Sequence, residues 1–316
     1  MGLTVSVVIR TYNGERFILD ALESVFAQTE PPEEIVVVDS ASTDATAAIV
    51  EEIAHDTPVP IHPISLPENE GDPAWPLNVG IDAARGEVIC LLDQDDVMLP
   101  KKLAVQSAVL EEHEEVDFVL SDHENFDAEG IIHRAGSRSR YPEELAALMK
   151  GPGPVHIIDP VNSIMAFVST PTMAHSGRNF LFRKSVWKRI GGFDHKSGTS
   201  CDVDFLLRGI DKPVAWIDAV LYRKRIHKDR FWHYTAKNRI VSLKVRQRTV
   251  RRFPDHKGLR IMVAQMTCIA AQELRWNRHY LLSLRAGLQL IPLRYPKEAF
   301  SECTKTMLAI VRSILP

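Results

Sequence analysis

Three carboxylates, Asp93, Asp95 and Asp96, follow directly on the mostly apolar run Val88 to Leu92, and Pro100 comes shortly after them. The run reads as a buried strand and Pro100 as the opening of a helix, so the acids crowd the carboxyl end of a strand. Like charges this close repel unless a cation or strong donors neutralise them. An oxygen-ligand divalent metal site meets that need, and a solvated acidic turn capping a helix is the structural alternative. Two more strand ends carry groups able to hold a ligand: Thr11-Tyr12-Asn13, and Asp39 followed by Ser42 in VVVDSASTDAT. A carboxylate such as Asp39 can accept the imide N–H of a uracil ring or a ribose hydroxyl; capping the next helix is the other use for Asp39 and Ser42. Placed in one sheet, these groups and Gln94 converge on the edge where open α/β sheets bind ligands, and they can grip a nucleotide diphosphate with its metal. Neither GxGxxG nor GxxxxGK[ST] occurs, so dinucleotide and P-loop readings lose their main support.

The elements that must position these residues alternate. Val5 to Thr11, Glu34 to Asp39, Ile61 to Leu66, Val88 to Asp93 and Asp117 to Ser121 read as strands, several continuously apolar, as parallel strands buried on both faces are. Glu15 to Gln28, Thr43 to His55, Pro76 to Arg85 and Pro100 to Glu114 read as the intervening helices. Repeated βα units predict an α/β fold with a doubly wound, mostly parallel sheet flanked by helices. Residues 127 to 178 lose the rhythm and read as a loop-rich insertion of the kind that sets substrate specificity; order returns from 179 to 220. Beyond about Phe231 the spacing of Leu259, Met262, Met266 and Ile269, and of Phe300, Cys303, Met307, Ile310 and Ile314, predicts amphipathic helices.

The formal net charge of -3 hides a division: residues 1–220 hold 17 Lys/Arg against 36 Asp/Glu, and residues 221–316 hold 21 against 5. A basic segment of that kind packs on an acidic body or meets an anionic lipid or substrate. The cysteines, Cys90, Cys201, Cys268 and Cys303, form no CxxC pair, which argues against a zinc module or disulfide framework and fits a reducing cytoplasm. The start MGLTVSVVIRTYN has no charged region ahead of its apolar run, so no signal peptide is expected, and no uncharged apolar run reaches membrane-spanning length.

The stretches SVVIRTYNGERFILDALESVFAQT, EIVVVDSASTDAT, NEGDPAWPLNVGIDAARGEVICLLDQDD and RKSVWKRIGGFDHKSGTSCDVDFLLRG resemble, in order and approximate spacing, the inverting family 2 glycosyltransferases of GT-A fold. The resemblance covers roughly residues 3 to 228 and implies a GT-A catalytic domain over 1–230, Rossmann-like, with a basic amphipathic helical extension over 231–316. It implies transfer of a sugar from a nucleoside-diphosphate sugar, usually of uridine or thymidine, to a glycan or lipid-linked acceptor, with inversion. Asp39 then matches the base-binding acid, with Thr11 and Tyr12 framing the nucleobase or ribose and Ser42 and Gln94 beside them. Asp93 and Asp95 match the metal-binding acid pair, with Mg²⁺ or Mn²⁺ as cofactor, and His227 matches a downstream His that completes the metal shell. Asp202 matches the general base, and Asp204 stands next to it in line. The chain departs from the pattern at Cys201, where the family usually has Glu, and at Leu77, where it commonly has Arg. Arg223, Lys224, Arg225 and Lys228 are candidates for meeting the diphosphate. A sugar nucleotidyltransferase, or a weakly active homologue acting as a membrane-surface binding protein, are the competing readings. A cytoplasmic site at the inner membrane face is expected, with peripheral membrane contact or a homodimer through the C-terminal helices and no nucleic-acid partner.

Overall fold

The computed structural model describes residues 2–127, 129–130, 132–133, 153–169, 179–227, 236–253 and 255–276, with positions 283, 286, 288, 301–302 and 304–305. In chain order the strands are β1 (Val5–Thr11), β2 (Glu34–Asp39), β3 (Ile61–Ser65), β4 (Val88–Asp93), β5 (Val97–Met98), β6 (Phe118–Phe126), β7 (Ile132–His133), β8 (Val155–Ile158), β9 (Phe180–Arg183) and β10 (Val214–Arg225). The helices are α1 (Ile18–Phe26), α2 (Thr46–His55), α3 (Ala74–Ala83), α4 (Lys102–Glu112), α5 (Pro160–Ser169), α6 (Lys184–Ile190), α7 (Cys201–Gly209), α8 (Ala236–Arg252) and α9 (Lys257–Trp276). The five expected strands and four expected helices all form. β6 runs five residues beyond the expected Ser121, and α3 starts at Ala74 because Pro76 fits a first helical turn, where a missing N–H costs nothing.

The sheet is mixed, in the order β3-β2-β1-β4-β9-β6-β10-β5, with β7 beside β6 and β8 beside β10. Its first half, β3-β2-β1-β4, is parallel throughout, which puts the carboxyl ends of these strands on one edge: Thr11 lies opposite Asp39, and Asp39 opposite Ser65. β9 then runs antiparallel between β4 and β6. β10 is parallel to β6 with register shifts between Ile217 and Tyr222, and it continues far enough to pair Tyr222 with Met98 and Arg223 with Val97 in β5.

One sheet face buries Val5, Val7, Ile9, Ile35 and Val37 against Ile18, Leu22 and Val25 of α1. On the other face α3 approaches so closely that a Cβ on Gly80 would lie 2.5 Å from Val8 Cγ1, so only glycine allows this packing. An aromatic cluster fills the second half, where Phe205 of α7 stacks on Phe193 at 4.2 Å and meets Phe182 at 5.0 Å, with Phe118 and Phe180 alongside. The described part of the insertion contributes β8 and α5, so that part of it is not loop; most of residues 128–178 lie outside the described residues.

The chain divides into two compact units: Met1–Lys196 with Cys201–Arg230, and Ser197–Ser200 with Phe231–Pro316. In the second unit Ile240 and Leu243 of α8 pack with Ala270 and Ala271 of α9, while Lys244, Arg251 and Arg252 are exposed. Leu259 is buried as its spacing requires; the side chains of Met262 and Ile269, and the run Phe300, Cys303, Met307, Ile310 and Ile314, lie outside the described residues. Among the described residues no helix is long and apolar enough to cross a membrane.

Candidate active site

Beyond the ends of β1 and β2, side chains rather than secondary structure shape the backbone. Asp39, 8% exposed, accepts Ser42 N–H at 3.1 Å and the Ser42 hydroxyl. Ser42 Oγ in turn accepts Asn13 N–H at 2.8 Å, and Asn13 Oδ1 accepts Thr43 N–H at 2.8 Å. Asn13 (φ 48°) and Ala41 (φ 57°) both take left-handed backbone, which Asn tolerates and which costs Ala about 1–2 kcal/mol, held by this network. Asp44, not Asp39 or Ser42, serves the start of α2 by accepting Thr46 N–H at 3.0 Å, so helix capping does not account for Asp39 and Ser42. Thr11 is buried and Tyr12 is 40% exposed at the rim.

Gln94 ties the first loop to the acidic one. Its Oε1 accepts Thr11 Oγ1–H at 2.5 Å and Tyr12 N–H at 2.7 Å, and its Nε2 donates to Tyr12 O at 3.2 Å. A Cβ on Gly14 would lie 2.6 Å from that Oε1, so the single glycine of RTYNGERF is what lets the amide in. Gln94 therefore acts here through Thr11 and Tyr12.

The three acids meet three different environments. Asp96, 1% exposed, accepts Tyr222 Oη–H at 2.7 Å on one oxygen and Arg225 N–H at 2.8 Å on the other, so both are held by β10. Asp95 Oδ2 lies 2.8 Å from His227 Nε2. Asp93 Oδ1 is 3.3 Å from Arg10 Nη2, the two side chains being about a quarter exposed. Ligand oxygens of all three acids lie within 4.8 Å of one another, and they form the one such group found among the described residues.

Arg225 frames the group from beneath. Its Nε donates to Asp95 O at 3.0 Å, its Nη2 to Asp20 at 2.6 Å, and its guanidinium lies over the rings of Phe17 and Phe126 at 5.1 and 4.4 Å. Phe17 also packs against the His227 ring at 4.7 Å, orienting the imidazole. Arg223 pairs with Glu124 at 2.5 Å. Arg225 is thus engaged inside the fold, whereas Arg223, its side chain 38% exposed, and Lys224 are only partly buried; Lys228 lies outside the described residues.

Asp202 stands in the first turn of α7, half-buried, with Oδ1 accepting Val203 N–H at 2.7 Å. Its neighbour Asp204 is buried and accepts Arg208 Nε–H at 2.6 Å, while Arg208 also donates to Ile190 O at 2.9 Å and Gly192 O at 2.6 Å. Asp204 is therefore a structural anchor between α6 and α7. Cys201 is buried.

Composition and motif reading passed over Arg10. Burial pushes its pKa below the ordinary arginine value, while Cys201, Asp95, Asp202 and Asp96 pull it back up, so this guanidinium lies in the field of the acidic loop and of α7 together. Its position one residue before Thr11 was the available signal, because a cation at the end of a buried strand needs a partner. The acids suit a hard divalent cation. Asp93 and Asp95 offer oxygens, His227 offers nitrogen, and the buried His227 Nδ1 has no hydrogen-bond partner among the described residues.

A partly parallel mixed sheet with acids and hydroxyls gathered at its strand ends is the GT-A arrangement. The model of the family "Glycosyl transferase family 2" matches residues 6–191, and the chain belongs to that family. The chain is similar to the succinoglycan biosynthesis protein ExoO of Rhizobium meliloti, 32% identical over 58% of this chain and 47% of that protein. It is also similar to the poly(ribitol-phosphate) beta-N-acetylglucosaminyltransferase TarS of Staphylococcus aureus, 36% identical over 34% of this chain and 19% of TarS. The chain thus spans less than half the length of these curated relatives. The crystal structure of TarS residues 1–349 in complex with UDP-GlcNAc shares the fold at a TM-score of 0.70, 18% identity, over 96% of this chain and 89% of that one.

Proposed function

We propose that the protein is a metal-dependent, inverting glycosyltransferase that takes a sugar from a uridine-diphosphate donor to a hydroxyl of a glycan or lipid-linked acceptor. The reading rests above all on the sorting of the acidic loop, in which β10 holds Asp96 by both oxygens and leaves Asp93 and Asp95 facing Arg10 and His227. That is a site for a divalent cation held by Asp93, Asp95 and His227. Bound there with the donor, Mg²⁺ or Mn²⁺ would supply Lewis-acid stabilisation of charge on the departing diphosphate.

The protein's own groups carry the remainder. Asp39, kept in place by Ser42, accepts from the base or ribose, and Tyr12, at the rim beside Thr11, offers a ring to the nucleoside. Asp202 takes the proton of the acceptor hydroxyl as that oxygen bonds to the anomeric carbon and the diphosphate leaves from the opposite face, a single in-line displacement that inverts the centre. The TarS complex makes UDP-GlcNAc the first donor to test, and the poly(ribitol-phosphate) and succinoglycan named for the two relatives favour a polymeric glycan-type acceptor. We assign residues 1–230 as the catalytic domain and the basic segment 231–316 to contact with an anionic membrane face or a second copy, in the cytoplasm.

Calorimetry with UDP tests the core of this reading. Wild type is expected to bind UDP with Mn²⁺ and to lose that binding in EDTA, and Asp95→Ala to lose the metal dependence. Equal UDP affinity in Mn²⁺ and EDTA would sink the metal assignment.

A further inference from the structure

Arg10 has no place in the displacement described above, yet it stands among the acids. It lies opposite Asp93 in the register of β1 and β4, so the two side chains leave the same sheet face as neighbours, and Nη2 is 3.3 Å from Asp93 Oδ1. Asp95, Asp96 and Asp202 also act on it electrostatically. The second arginine of the neighbourhood cannot take this part, because Arg225 pairs with Asp20 and stacks on Phe17 and Phe126.

We propose that Arg10 is a positioning residue, the resident counter-cation of Asp93 and Asp95, which makes a divalent cation bind weakly alone and firmly only together with a nucleoside diphosphate. Guanidinium and metal ion compete for one set of negative charges. With only carboxylates present, the incoming ion meets a field already partly cancelled and a fixed positive charge beside it. A diphosphate adds negative charge to the same spot, which offsets the guanidinium and restores the attraction for the ion. Arg suits this part better than Lys because it stays charged when partly buried.

The proposal rests on the metal reading, and titrating Mn²⁺ alone and with UDP by calorimetry separates the two. For Mn²⁺ alone, Arg10→Gln is expected to bind about 5- to 20-fold more tightly than wild type, with Arg10→Lys close to wild type, as loss or retention of one nearby charge implies. The advantage that UDP confers on Mn²⁺ binding shrinks correspondingly in Arg10→Gln. Affinity for Mn²⁺ alone that is unchanged or weaker in Arg10→Gln, with Mn²⁺-dependent UDP binding intact in wild type, overturns the proposal and leaves the metal reading standing. Absence of any Mn²⁺ dependence in wild type overturns both. An Arg10→Gln protein that melts near wild type only when Mn²⁺ is added supports the proposal, since the ion then replaces the missing charge. One that fails to fold with or without Mn²⁺ overturns it and makes Arg10 a structural residue.

Discussion

The parallel half of the sheet, β3-β2-β1-β4, and the mixed half, β9-β6-β10, build the site in opposite ways. At the parallel half, strand ends lie level and their loops bond to one another through pairs such as Asn13–Ser42 and Asn13–Thr43. The mixed half contributes few loop residues of its own. Instead the long β10 carries Tyr222, Arg225 and then His227 across to the acidic loop, where they help give three carboxylates three different sets of partners. One half thus presents the acids and hydroxyls, and the other supplies the partners that set them apart. Proximity in sequence does not make acids equivalent; a buried carboxylate with both oxygens bonded is a structural group, and the acid beside it in the same loop can be a ligand.

The strongest test of that division of labour falls on α7, packed against the mixed half. Asp202→Asn keeps size but cannot take a proton, so kcat is expected to drop about 10²- to 10⁴-fold with UDP affinity and melting temperature near wild type. Steady-state kinetics with calorimetry on one preparation checks it, and near-normal turnover would remove Asp202 from the chemistry. By contrast, Phe205→Ala empties the centre of the aromatic cluster from the same helix. It is expected to cost about 3–5 kcal/mol in denaturant unfolding, with activity falling alongside stability.

Lys102 sharpens the comparison through pH. This lysine is fully buried and bonded to Gln106 at 2.6 Å and Asn179 at 3.2 Å, and burial lowers its pKa from 10.5 to about 8. The folded state therefore releases a proton that the unfolded chain keeps between those values, so stability rises as pH goes up through that window. At about 1.36 kcal/mol per unit the gain is about 3 kcal/mol. Wild type minus Lys102→Met should show that rise between about pH 8 and 10.5 in urea titrations; a flat difference would mean the ammonium is not disfavoured by burial.

The smallest expected effect separates Asp96 from its neighbours. Tyr222→Phe removes one donor from a buried carboxylate and is expected to cost about 1–3 kcal/mol in stability while leaving Mn²⁺-dependent UDP affinity within a few-fold of wild type. A large loss of metal dependence at unchanged stability would place Asp96 among the ligands instead.

Local pattern was enough to read the strands of the parallel half, their intervening helices, and the acids at their ends. Each is a short-range property: apolar runs bounded by polar residues form strands, and the residues just past a strand emerge at its end. Asp39, Thr11 and the Asp93–Asp96 loop could be placed on one edge from chain order alone. The antiparallel insertion of β9, the reach of β10, and the partners Arg10–Asp93, Asp95–His227 and Asp96–Tyr222 could not. The two members of each of these pairs lie more than 80 residues apart in the sequence. Charge balance at the site is settled by these contacts, because burial makes each carboxylate depend on whichever donor the fold delivers, and no periodicity in the chain encodes which donor arrives.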